Sequence, residues 1–294
     1  MATGINRGSI DLPMEVSDQI IQKVQESSAV MQLATKVDLP GRGITIPVIL
    51  SDPEAAWVAE TGKKKVSQGT LTTKQMTAYK LAVIEPFSNE FVRDMPKLYD
   101  TMVARIPLAM AKKFDQTVIG AVAKPGDNFD QLSGATALPI TSDTAYTQIV
   151  TADGNISDAE YEMNGIAISP KMKTILLKAL DGNKRPLFVP DTTSANNIPK
   201  VLSVPTYLNR GLYVPATTGS SAKPATVGVA GDWTKAAYGT VQGMQAAVSD
   251  QATLTLEDGT TLNLWQYNMV AVRFEIEVGF RAELSAFNLF TATA

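Results

Sequence analysis

The chain has 294 residues, 45% of them hydrophobic, which is enough for a real core and for one large or two ordinary domains. It has neither cysteine nor histidine, which excludes disulfides, thiolate chemistry and the commonest metal ligand, along with the one side chain that ordinarily titrates near neutrality. The formal charge is −3 and no basic run exceeds Lys63-Lys64-Lys65, so sequence-specific nucleic-acid binding has no electrostatic footprint.

Residues 1–16 are polar, with Gly and Pro and no periodic pattern, and read as an arm that takes its order from another surface. Ser17 then caps a helix through SDQIIQKVQESSAVMQLA, where Ile20, Ile21, Val24 and Met31 give one apolar face. From Gly43 the period changes to two. Ile44, Ile46, Val48 and Leu50 alternate with smaller or polar neighbours, and a second extended run spans Leu71 to Ile84. The two runs predict a long hairpin. Its tip, SDPEAAWVAETGKKKVSQGT, holds Trp57 and three lysines but too few apolar residues for a core of its own. A two-stranded hairpin alone is marginal in water, so the tip is expected either to fold back on its own domain or, as Trp57 favours, to lie across a neighbouring subunit.

Pro96 to Ala121 reads as one long helix, started by Asp94 and Pro96 and spanning roughly 40 Å. Leu98, Met102, Ile106, Met110 and Phe114 form an apolar stripe widened by Tyr99, Val103 and Ala109. Lys97, Thr101, Arg105, Lys112 and Asp115 share the opposite side with Leu108 and Ile119, which implies partial burial there too. Pro107 lacks a main-chain donor and predicts a bend in mid-helix.

Residues 124–239 change character, becoming rich in Gly, Pro, Thr, Ser and Asn. Tyr146 to Ala152 and Pro170 to Leu180 read as helices, the second capped by Ser169 and stopped at Asp181-Gly182. Gly165 to Ile168 and Thr226 to Val229 read as short buried strands, giving an inserted α/β lobe. Near the C-terminus, Asp258-Gly259 signals a tight turn between alternating runs. Val270, Val272, Phe274, Ile276, Val278 and Phe280 then alternate with Arg273, Glu275, Glu277 and Arg281, predicting a long strand with one buried and one charged face.

No phosphate-loop, dinucleotide, nucleophile-elbow, zinc-protease or calcium-loop pattern occurs. Ser220 to Lys223 matches SxxK without its partner motifs, and Asn155 to Ser157 is a glycosylation sequon only in a secreted protein. The carboxylates give no assignable acid-base pair. No catalytic site, cofactor or metal site is therefore expected. No secretory signal or bilayer-length apolar run occurs, so the chain reads as a soluble protein made inside a cell, with no membrane partner.

The order of parts, together with DPEAAWVAETGKKKVS, SNEFVRDMPKLYDTMVARIPLAMAKKFDQTVIG and LWQYNMVAVRFEIEVGFRAELSAF, resembles the major capsid proteins of tailed double-stranded DNA phages, the Hong Kong 97 fold. The resemblance covers nearly the whole chain. It implies an α+β fold with an N-terminal arm over 1–33 and a peripheral domain over 34–129 and 241–294. That domain carries an extended loop at 41–83 and a spine helix at 96–121, and 130–240 forms an inserted α/β axial domain. The implied function is structural, a homo-oligomeric shell of pentamers and hexamers around DNA in the virion, synthesised in the host cytoplasm. Portal and decoration proteins and non-specific contact with packaged DNA are the further partners it allows. Because the chain starts at Met1 directly with the arm, a separate scaffold protein or none is expected. Trp57, Lys63, Lys64, Lys65 and Pro107 are the expected inter-subunit contacts.

In some members of that family a loop lysine condenses with a neighbour's asparagine while a glutamate takes the proton, and Lys64, Asn268 and Glu275 match the pattern. The chemistry needs a neutral lysine, which burial beside apolar residues would favour. Against it, three consecutive lysines read as solvated, Arg273 stands where an apolar residue would serve better, and Asn268 and Glu275 also read as strand-end structure. Two other functions stay open: a cargo-holding compartment of the same fold, and a soluble carboxylate- or lysine-dependent enzyme or binding protein with its site at 124–239. Without histidine, an acid-triggered shell transition is expected to titrate carboxylates at about pH 4 to 5.

Overall fold

The computed structural model describes residues 24, 27–41, 43–49, 57–58, 63–64, 66, 71–95, 103–188, 201–217, 223–241, 245–256 and 258–292. The expected arm, the start of the first helix, Lys65 and the first turns of the long helix lie outside the described residues. The helix expected to run from Ser17 does not continue unbroken. Ser28 is extended and begins a separate helix, α1 (Ala29–Leu33), accepting the Met31 amide at 3.1 Å. A serine hydroxyl competes for backbone donors in this way and favours caps over helix interiors.

The next strands are β1 (Thr35–Asp38), β2 (Ile44–Ile49), β3 (Leu71–Met76) and β4 (Tyr79–Ser88). β2 and β3 pair antiparallel from Ile44↔Met76 to Ile49↔Leu71 and form a two-stranded sheet of their own. The expected run from Leu71 to Ile84 is thus two strands in two sheets. The break follows from packing at the hairpin base: fully buried Met76 crosses the backbone at Gly239 and Gly279. A Cβ at Gly279 would stand 2.6 Å from the Thr77 carbonyl oxygen, so only glycine admits the crossing.

After the short helix α2 (Asn89–Asp94) and a turn at Ala104 and Arg105 comes α3 (Ile106–Ile119). The expected bend at Pro107 takes the form of a break: Val103 is still helical, Ala104 and Arg105 form a turn, and α3 begins at Ile106 with Pro107 in its first turn, where a missing N–H breaks no helical bond. Gly120 ends α3 in the left-handed region at φ +88°. Ile106, Met110, Phe114 and Val118 are buried at the predicted four-residue spacing, and Phe114 meets Phe129 and Phe280 edge-on at 6.3 Å. Ala109, expected to widen the stripe, is exposed, whereas Asp115, expected on the polar side, is wholly buried.

The lobe contributes β5 (Thr136–Pro139), α4 (Ala145–Asp158), β6 (Gly165–Ile168), α5 (Pro170–Lys178), β7 (Thr206–Leu208) and β8 (Ala225–Gly231). Then come β9 (Ala236–Thr240), β10 (Gln245–Ser249), the hairpin of β11 (Thr253–Thr255) and β12 (Thr261–Asn263), the long β13 (Met269–Ala282), and β14 (Phe287–Ala292). β13 organises one five-stranded sheet, with β4 along one edge and β10 then β9 along the other, and β1 parallel beyond β9. Its Val272, Phe274, Ile276, Val278 and Phe280 are buried, as the alternation predicts.

The second sheet runs β5-β14-β8-β6-β7, with α4 and α5 packed on it through Ile149, Ile156, Met172 and Leu176. Its membership revises the expected boundaries. β9 lies within 130–240 yet pairs with β13, while the C-terminal β14 lies within 241–294 yet pairs with β5 and β8. β14 is buried on both faces over Phe287–Thr291, and a short strand buried in this way carries no local sign of which sheet it joins.

Candidate assembly surfaces

Among the described residues no three carboxylates converge as a metal-ion donor set. A hollow between β4, α3 and the 122–129 loop is lined by Leu81, Phe114, Phe129 and Val278, with Lys80 and Lys113 as its charged groups and no carboxylate. It offers no acid-base pair for catalysis.

The hairpin is held firmly at its base and left bare at its tip. Arg281 donates from Nε to the Gln75 carbonyl at 2.8 Å, from Nη1 to Asp130 at 2.7 Å and from Nη2 to Asn128 at 2.9 Å. Asp130 in turn accepts the Ala282 amide at 3.2 Å, and Lys74 reaches Glu283 at 3.1 Å. Toward the tip, Trp57 is fully exposed, and Val58, Lys63, Lys64 and Val66 are exposed as well. Pro107, expected at an inter-subunit contact, is buried within its own subunit in α3's first turn.

The three cross-link candidates are not brought together in one subunit. Asn268 takes the left-handed conformation at φ +52°, which asparagine tolerates better than most residues. Its main-chain and side-chain oxygens accept from Asn89 at 3.0 and 2.8 Å, so it closes the 264–268 turn against α2. Seven residues of extended chain, about 23 Å, separate it from Glu275. Glu275 is bound to Lys80 at 3.0 Å and to Arg273 at 3.4 Å, and Lys80 also meets Glu277 at 3.4 Å. The Lys80 hydrogen bond holds the Glu275 carboxyl below its ordinary range, and Glu275 raises Lys80 in return. A carboxylate so stabilised is a weaker proton acceptor.

Two features escaped the sequence reading. Trp265 and Tyr267 stand largely exposed on the turn before β13, beside Asn268; the aromatic pair in LWQYN was the available signal. Asp115 is buried in the core with its carboxylate aimed at the start of α1. No local signal marks it, because its partners lie 85 to 87 residues away.

The phage capsid family model matches residues 8–289. The chain belongs to the phage capsid family. It is 29% identical over 282 residues to a probable major capsid protein of Mycobacterium phage D29, covering 92% of this chain and 86% of that one. It is 27% identical over 271 residues to the major capsid protein of Staphylococcus phage 80alpha, covering 90% and 79%. The structure of Gordonia phage Cozz matches with a TM-score of 0.71 at 20% identity over 91% of this chain and 87% of that chain, which establishes the α+β capsid fold.

Proposed function

We propose that this chain is the major capsid protein of a tailed phage, its copies joining as pentamers and hexamers into an icosahedral shell around double-stranded DNA. The observation that carries the reading is the hairpin. β2 and β3 pair only with each other, and Trp57 near the tip has none of its surface covered by its own subunit. An indole left in water forgoes about 1.5 to 3 kcal/mol of burial that a neighbouring copy would supply. The role is structural rather than catalytic, and the net charge of −3 suits a container that must not grip its DNA. A portal, decoration proteins and, where assembly uses one, a scaffold are the partners such a shell would recruit. Electron microscopy of the purified protein, alone and with its neighbouring phage genes, tests the proposal: closed shells or five- and six-membered rings support it, and a monomer in both preparations overturns it.

The geometry weighs against an isopeptide bond through Lys64, Asn268 and Glu275. Asn268 is engaged with Asn89 and Glu275 with Lys80, so neither is free for the reaction without first breaking a bond it already makes. Mature particles boiled in denaturant are expected to run as monomer. A ladder of covalent oligomers that disappears in Lys64→Ala would restore the cross-link.

A further inference from the structure

Asp115 is the centre of a junction between three parts of the chain. It belongs to α3, and its Oδ1 accepts the Ser28 hydroxyl at 2.5 Å and the Val30 amide at 3.4 Å, while Oδ2 accepts the Ala29 amide at 3.1 Å. Those donors form the root of the N-terminal arm. From the lobe, the Asn209 side chain donates to the Ser27 carbonyl and accepts the Gly211 amide at 2.7 Å. Gly211 presses on α3 so closely that a Cβ there would lie 3.2 Å from the Asp115 Cβ.

We propose that Asp115 is a proton-operated latch that fastens the root of the N-terminal arm to α3 and the lobe, tightening when the carboxyl gains a proton and loosening when it loses it. The device goes beyond the shell function and belongs to the single subunit. Its basis is a wholly buried carboxylate whose hydrogen-bond partners among the described residues are all neutral. On its own helix Lys112 and Lys113 are exposed, residues 27–34 of the arm root carry no charge, and Arg210 beside Gly211 is exposed. On β4, Lys80 is engaged with Glu275 and Glu277. No cation among the described residues pairs with Asp115 across these contacts. The ionised form therefore bears an uncompensated desolvation cost that three donors only partly offset. In the neutral form that cost is absent, and the Ala29 and Val30 amides still meet the carboxyl oxygens.

Burial moves the Asp115 carboxyl up to about 7, against the hydrogen bonds from Ser28, Ala29 and Val30 that pull it down. Once the root undocks, the group is in water and returns to about 4. The docked state thus holds the extra proton between those limits, and docking weakens as pH rises through that window, with no further loss above it. A carboxylate titrating there supplies the near-neutral sensitivity that a histidine-free sequence was expected to lack.

The test is amide hydrogen exchange of the intact protein at several pH values, expressed as protection relative to the intrinsic rate so that chemical pH dependence cancels. Protection at residues 29–34 is expected to fall about tenfold per pH unit from about pH 5 to about 7 and then level, while remaining below that of β6 throughout, which marks local release. Asp115→Asn is expected to flatten the profile. Should that variant fail to fold, Ser28→Ala, which removes a donor that favours the charged form, is expected to move the levelling point to higher pH. Flat protection in the unaltered protein, or the same pH course in these variants, overturns the latch, as does arm-root exchange that coincides with β6.

Discussion

Arg281 shows how one residue fixes the direction of an entire element. Its side chain is only 12% exposed, and its planar fork joins the base of the hairpin to the loop after α3 through Gln75, Asn128 and Asp130. Lysine, with one compact ammonium on a flexible stem, cannot satisfy three acceptors in that plane. Arg281→Met is expected to destabilise the subunit by about 3 kcal/mol, since it leaves the largely buried Asp130 without its counter-charge. Arg281→Lys should fall between that variant and the unaltered protein, with urea unfolding as the measurement. Arg93→Gln makes the control, because Arg93 and its partner Asp94 are both exposed and exposed ion pairs add little; its unfolding midpoint should not move. Arg281 was legible as a member of the charged face of β13 but not as a junction, because its three acceptors lie 151 to 206 residues away in sequence.

At the scale of elements, local pattern and long-range packing part company in an instructive way. The period-two alternation located β13, β2 and β3, and Asp258-Gly259 located the β11–β12 turn, whose Gly259 is at φ +81°. Serine and proline at 169–170 located the start of α5, with Ser169 accepting the Met172 amide as a cap does. Each is a signal written within a few residues. The sheet that β14 joins, the break between β3 and β4, and the burial of Asp115 depend instead on partners remote in sequence, so no window of neighbours could reveal them. Pro107 allows a check on the helix that begins beside it. A mid-helix proline would cost about 3 kcal/mol, so replacing it by alanine would stabilise the protein. In the first turn the same ring is compatible with the helix and lowers unfolded-chain entropy, so Pro107→Ala should destabilise by about 0.4 to 1 kcal/mol, plus the packing lost at a buried site. The sign of the shift in urea midpoint decides between the two.

For the whole molecule, the question is which exposed apolar surface drives assembly. Trp57 near the hairpin tip and Trp265 on the turn before β13 are both exposed, whereas Trp233 is buried beneath the second sheet and edge-on to Phe287 at 5.1 Å. Only the first two can change environment when copies meet. Because Trp57 touches no core, Trp57→Ala should leave the urea midpoint of the isolated subunit unchanged while raising several-fold the protein concentration needed for rings or shells. Tryptophan emission gives the second readout. Assembly of the unaltered protein should shift it to the blue, and a variant lacking Trp57 should lose most of that shift if the hairpin is the main anchor. If instead Trp265→Ala abolishes the shift and the assembly while Trp57→Ala spares both, the exposed turn beside Asn268 is the anchor and the hairpin only follows it into place. The two substitutions touch surfaces that share no described contact, so their effects should add if both surfaces contribute independently. A coupling larger than about 0.5 kcal/mol would mean that hairpin and turn meet each other across the same subunit boundary.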